Sequence, residues 1–193
     1  MIFHSLFRFA SLSLILVSLS VSVRAEDAAT NKPPDTGVLY KIEGTLDLSD
    51  FAKGKGASVS TGQAKDSTNP AIEIKFFPTT PGAYPAVYIP VPIGGWDLSG
   101  YAGVEAQLYN PGEKVVAIYL RVDNAGEWTD SPWSVQVLRL KPGESGTLRT
   151  EFGKCFGKTA FALDPTHIKA IQITTDPTTS EISVLLSSLS GYK

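Results

Sequence analysis

The stretch AGVEAQLYNPGEKVVAIYLRVD, residues 102–123, decides the fold. Up to the bend its even positions are Ala102, Val104, Ala106 and Leu108, against Gly103, Glu105, Gln107 and Tyr109 at the odd ones. Beyond the bend the even positions are Val116, Ile118, Leu120 and Val122, against Val115, Ala117, Tyr119, Arg121 and Asp123. Neighbouring side chains on a strand point to opposite faces, so this alternation predicts two half-buried strands, 102–109 and 114–123. Asn110-Pro111-Gly112-Glu113 carries turn chemistry and predicts a hairpin between them. The even side chains then face a core, and the odd ones form one shared polar-aromatic surface.

Working outward, runs rich in Val, Ile, Tyr and Phe predict further strands at 38–43, 71–77, 85–91, 132–140, 145–152, 168–175 and 181–189. Lys141-Pro142-Gly143-Glu144 predicts a second hairpin. The polar, Gly-rich stretch 50–70 reads as a long loop, and 153–167 as irregular chain with a helical turn opened by Asp164-Pro165. There is no long amphipathic helix and no internal repeat. The expected fold is all-β, a two-sheet antiparallel β-sandwich.

The chain has 193 residues, 42% of them hydrophobic and 19% charged, with a formal charge of −2. That is one domain of ordinary size, with no basic excess to hold nucleic acid. Its single cysteine, Cys155, excludes an intramolecular disulfide and a multi-thiolate metal site, and reads as a buried, inert thiol. Arg8, the apolar run Phe9 to Val23 and the small residues of Val23-Arg24-Ala25 read as a signal peptide, 1–25, cleaved after Ala25. The run is short of the roughly 20 residues that span a bilayer. Residues 26–37, with Pro33-Pro34, read as a flexible linker, and 38–193 as the domain. A secreted or periplasmic protein is expected, with no membrane contact after cleavage.

The outward surface gathers Glu105, Gln107, Tyr109, Tyr119 and Arg121, joined by Tyr88 and Gln136 from other strands. Planar rings recognise the C–H faces of sugars, and amide, carboxylate and guanidinium groups recognise their hydroxyls. The competing reading is a solvated face on which Glu105 and Arg121 form a weak cross-strand pair. The loop 123–133 adds Asp123 and Asn124 as hydroxyl ligands and Trp128 as a stacking ring; Trp133 suits either a ligand contact or a cap on the core. Glu127 and Asp130 in that loop match poorly the two opposed carboxyls of a glycosidase. Loop oxygens suit calcium better, although no D-x-D-x-D-G pattern is present. With His4 removed, His167 is the one remaining histidine, too few for a zinc cluster. No G-x-S-x-G elbow and no phosphate-binding Gly loop occurs.

Trp96-Asp97-Leu98-Ser99-Gly100-Tyr101, Asn110-Pro111-Gly112, Val122-Asp123-Asn124, Leu140-Lys141-Pro142-Gly143-Glu144 and Ile168-x-x-Ile171-x-Ile173 follow in an order that resembles non-catalytic carbohydrate-binding modules. These have the galactose-binding-like jelly roll, and the resemblance is to modules found beside agarase-type catalytic domains. It covers most of 38–190 and implies that a sheet face or the loops at one end hold a sugar chain. Carried over, Glu105, Gln107, Tyr119 and Arg121 lie on the ligand side with Trp128 at its edge. The family also implies a structural calcium partly held by an Asp of the last strand. Here that strand runs Ile182-Ser183-Val184-Leu185-Leu186-Ser187-Ser188-Leu189, with Ser in that place. No cofactor is therefore expected, structural calcium being the exception left open.

The expected function is binding of a polysaccharide or oligosaccharide without turnover, alone or beside a separate catalytic protein, with no nucleic-acid partner. Two alternatives stand: a jelly-roll polysaccharide lyase using a Tyr, Arg and Gln face, and a structural or protein-interaction sandwich of the cell envelope.

Overall fold

A computed structural model describes residues 31–65, 68–126 and 132–193. The expected signal peptide, the part of the expected linker up to residue 30, and Glu127, Trp128 and Asp130 lie outside the described residues.

The chain is an all-β jelly-roll sandwich. Among the described residues its thirteen strands are β1 (Val38–Tyr40), β2 (Ala52–Lys53), β3 (Ala57–Gln63), β4 (Pro70–Phe76), β5 (Ala86–Ile89), β6 (Gly103–Tyr109), β7 (Val116–Asp123), β8 (Trp133–Leu140), β9 (Ser145–Glu151), β10 (Lys154–Cys155), β11 (Lys158–Thr159), β12 (Ala170–Thr175) and β13 (Ile182–Tyr192). A six-stranded sheet runs β3-β4-β13-β6-β9, with β1 also on β13, and a seven-stranded sheet runs β11-β10-β8-β7-β12-β5-β2. All pairings are antiparallel except β10 with β8.

Between the sheets lies one apolar core. Val104, Ala106 and Leu108 of β6 enter it from one side, and Ile118, Leu120 and Val122 of β7 with Ile171 and Ile173 of β12 enter from the other. The alternation read in 102–123 therefore holds from Val104 to Tyr109 and from Val116 to Val122, while at the ends Ala102 is exposed and Gly103 and Asp123 are buried. The hairpin does not hold. β6 pairs with β9 and β13, β7 pairs with β8 and β12, and Asn110-Pro111-Gly112-Glu113 arches from one sheet to the other. Lys141-Pro142-Gly143-Glu144 makes the same crossing between β8 and β9. Two strands burying the same parity satisfy the alternation equally well side by side or face to face across a core.

The two arches are bonded to each other. Asn110 is fully buried; its amide N–H donates to the Glu144 carbonyl (3.0 Å) and its carbonyl accepts from Gly143 (2.9 Å). Its side chain donates to the carbonyls of Lys114 (2.8 Å) and Leu140 (3.1 Å) and accepts from the Gly112 amide (2.9 Å). Asn110→Ala leaves these groups without their partner, and a loss of about 2 kcal/mol is expected in denaturant titration.

The segment 50–70 is not a long loop: it contains β2 and β3. Both are edge strands, and β3 is mostly Ser, Thr, Gly and Ala, with only Ala57 and Val59 packed against the core. Asp164-Pro165 does open a helical turn, Pro165–His167, with the Asp164 side chain accepting from the Thr166 amide.

Candidate functional site

The outward face of the seven-stranded sheet carries a groove of about 720 Å³. Register dictates which side chains reach it. Arg121 stands beside Val135 of β8 and Gln172 of β12, and Gln172 stands beside Tyr88 of β5. One row over, Tyr119 stands beside Val137 and Thr174, with Ala86 next. Because Ile171 and Ile173 point to the core, Gln172 and Thr174 must point out.

Small side chains, Ala86, Ala170, Thr174 and Val135, leave the floor low. Aromatic rings stand at the sides: Tyr84 and Tyr88 by β5, and Trp133 and Phe156 by β8 and β10. At a strand spacing of about 4.8 Å, the four steps from β10 to β5 put the backbones of those two strands roughly 19 Å apart.

Arg121 and Asp123 form the fixed polar centre. The Arg121 Nε–H donates to both Asp123 carboxylate oxygens (2.8 and 3.1 Å), and its Nη2 donates to Oδ1 as well. Gln172 Nε2 donates to Asp123 Oδ2 at 3.3 Å, and the guanidinium lies 4.7 Å from the centroid of the Trp133 ring. Trp133 in turn contacts Phe161 (5.4 Å between centroids). Asp123 is thus a buried carboxylate that orients Arg121 and Gln172, and Trp133 offers one ring face to Arg121.

Tyr119 is also engaged. Its hydroxyl donates to Asp176 Oδ2 at 2.8 Å, and its ring meets Phe156 edge-on at 6.2 Å. Burial first, then the bond to Asp176, pushes its phenol above the usual tyrosine range. Asn124 staples the end of β7 to the helical turn: its amide donates to the carbonyls of Asp164 (2.8 Å) and His167 (2.7 Å) and accepts from the Asp164 N–H (2.8 Å). Cys155 is half-buried, its thiol donates to the Trp133 carbonyl (3.6 Å), and burial raises the thiol above its usual range.

Tyr88, Tyr119, Arg121, Asp123 and Asn124 are therefore brought together around one groove. Glu105 and Gln107 are not. They lie on the outward face of the six-stranded sheet, on the far side of the sandwich, so the single surface expected from a β6–β7 hairpin does not exist. There Glu105 pairs with Arg149 (2.8 Å), Gln107 donates to Thr147 (2.8 Å), and the Lys65 ammonium sits 5.1 Å from the centre of the Tyr109 ring. The expected Glu105–Arg121 pair is replaced by Glu105–Arg149 and Arg121–Asp123. Gln136 falls opposite the core residue Leu120 and does not line the groove. Among the described residues no group of three His, Cys, Asp or Glu side chains gathers to hold a metal.

No protein-family model matches the chain, and no curated protein matches it. Solved structures do. The agarase AgWH50C aligns with 81% of the chain at a TM-score of 0.59 and 14% identity, and an exo-β-agarase with 81% at 0.61 and 11%. A family 11 carbohydrate-binding module from Clostridium thermocellum, solved in complex with a β-1,3-1,4-mixed-linked tetrasaccharide, aligns with 81% at 0.52 and 16%. The chain spans about a quarter of the two agarases, 26% and 25%, but matches 95% of the module. At such identities the likeness is one of fold, and it agrees with the resemblance read in the sequence.

Proposed function

We propose that this protein is an exported carbohydrate-binding module that holds a neutral polysaccharide in the groove of its seven-stranded sheet and does not turn it over. The observation that carries this is a row of fixed hydrogen-bonding groups between aromatic rings with open faces: Tyr84 is 64% exposed, Phe156 53% and Tyr88 39%. A sugar ring stacks on such faces while Gln172, Arg121 and Asp176 take its hydroxyls. The tetrasaccharide bound by the family 11 module is a neutral ligand of the same kind.

Charge points to the neutral class. The charged residues lining the groove are Arg121, Asp123 and Asp176; Arg121 is held by Asp123, and the remaining charge is negative. Among the described residues that line the groove, a uronate or sulfated polymer meets no free cation. The same pairing tells against a lyase, which needs a cation to neutralise the uronate and a basic phenolate to take the proton. Here Arg121 is engaged, and the Tyr119 phenol is shifted upward, away from a phenolate. Export follows from the Phe9–Val23 run with cleavage after Ala25, and a separate enzyme would act on the bound polymer.

The test is native electrophoresis through gels containing agarose, mixed-linked β-glucan, xylan or alginate. Retardation by at least one neutral polymer, and none by alginate, is the expected result. No retardation by any neutral polymer overturns the proposal. Formation of unsaturated uronate from alginate would establish the lyase reading instead, and specific capture of an envelope protein by a non-binding module the structural one.

A further inference from the structure

Phe156 is the only residue other than glycine with positive φ among the described residues (φ 52°). It and Gly157 (φ 76°) form the two-residue turn of the hairpin in which Lys154 pairs with Thr159 and Cys155 with Lys158. Two positive φ values make a type I′ turn, whose first position favours Asn, Asp or Gly because a β-carbon crowds the backbone there. A bulky aromatic is among the least suited residues for it.

Nothing in the core compensates. The ring is half-exposed and belongs to no buried cluster; its one described aromatic contact is the edge of Tyr119, and its backbone N–H binds the Val135 carbonyl at 2.9 Å. That bond fixes the turn to β8, and the ring then borders the groove on the side away from Tyr84 and Tyr88. A strained conformation at the rim of a site, with an exposed ring as its product, indicates a residue kept for the ligand.

We infer that Phe156 is a ligand-contacting lip, stacking on the C–H face of a pyranose and directing the glycan across the strands from β5 toward β10. This rests on the proposed function, which the test can fail separately. Wild type, F156N and F156Y are run in the agarose, β-glucan and xylan gels, with thermal melting alongside. F156N supplies the favoured Asn-Gly turn without the ring. In the gel that retards wild type it is expected to bind roughly tenfold more weakly while melting at the same temperature or higher. F156Y, which restores a ring, is expected to bind within a few-fold of wild type. Undiminished F156N binding overturns the lip and leaves the proposed function standing. A markedly lower melting point for F156N also overturns it, because the ring then serves folding. Wild type unretarded in all three gels removes the proposed function itself, and the lip with it.

Discussion

Asp123→Ala is expected to lower stability by about 3 kcal/mol and to weaken glycan binding by more than an order of magnitude at temperatures where the variant is still folded. The side chains of the pair are only 22% (Arg121) and 10% (Asp123) exposed, so removing the carboxylate strands a guanidinium with little access to water. The cost is therefore the desolvation of an unpaired cation, not the value of one ion pair. Gln172 and the stacked Trp133 lose their common anchor at the same time, which disorders the hydrogen-bonding row. A control separates the two effects. Replacing both partners, Arg121→Met with Asp123→Leu, removes the unpaired charge and is expected to recover most of the stability while leaving binding poor. Denaturant titration measures the first and affinity electrophoresis the second.

Loss of Tyr84 and Tyr88 together is expected to weaken binding by roughly 100-fold, about 2–3 kcal/mol, with each single Ala substitution near tenfold. The residues are 64% and 39% exposed and neither belongs to the core, so both leave ring surface open to a ligand. Stability should change by less than about 1 kcal/mol, which distinguishes a contact from a support. Glu105→Ala and Gln107→Ala on the opposite sheet provide the comparison, and both should bind as wild type does.

Alternation identifies the core side chains of β6 and β7, because each strand contributes one apolar face to one core, but not the burial of Gly103 and Asp123 at the strand ends. It did not reveal which sheet each strand joins. An arch and a hairpin can both be written with Asn-Pro-Gly, and the choice depends on the bonds of Asn110 to Leu140, Gly143 and Glu144, thirty residues and more along the chain. The sequence therefore places Glu105 and Gln107 with Tyr119 and Arg121, on a face that the arch divides between two sheets. Gln172 was legible, since Ile171 and Ile173 flank it in an alternating strand. Tyr84 and Asp176 lie in loops, where no periodicity assigns a direction. β3 carries no strand signal in the sequence because an edge strand of Ser, Thr and Gly buries too little to need an apolar pattern. Phe156 was hidden by its own exception, a turn without the residues that usually announce one.

The most direct measurement is backbone amide shift mapping on isotopically labelled protein, titrated with a soluble oligosaccharide of a neutral polymer that retards it. Perturbations concentrated at Tyr88, Arg121, Val135 and Gln172 are expected, across β5, β7, β8 and β12. Perturbations concentrated at Glu105, Gln107 and Thr147, with those four silent, would place the ligand on the other sheet and contradict the groove as the binding site.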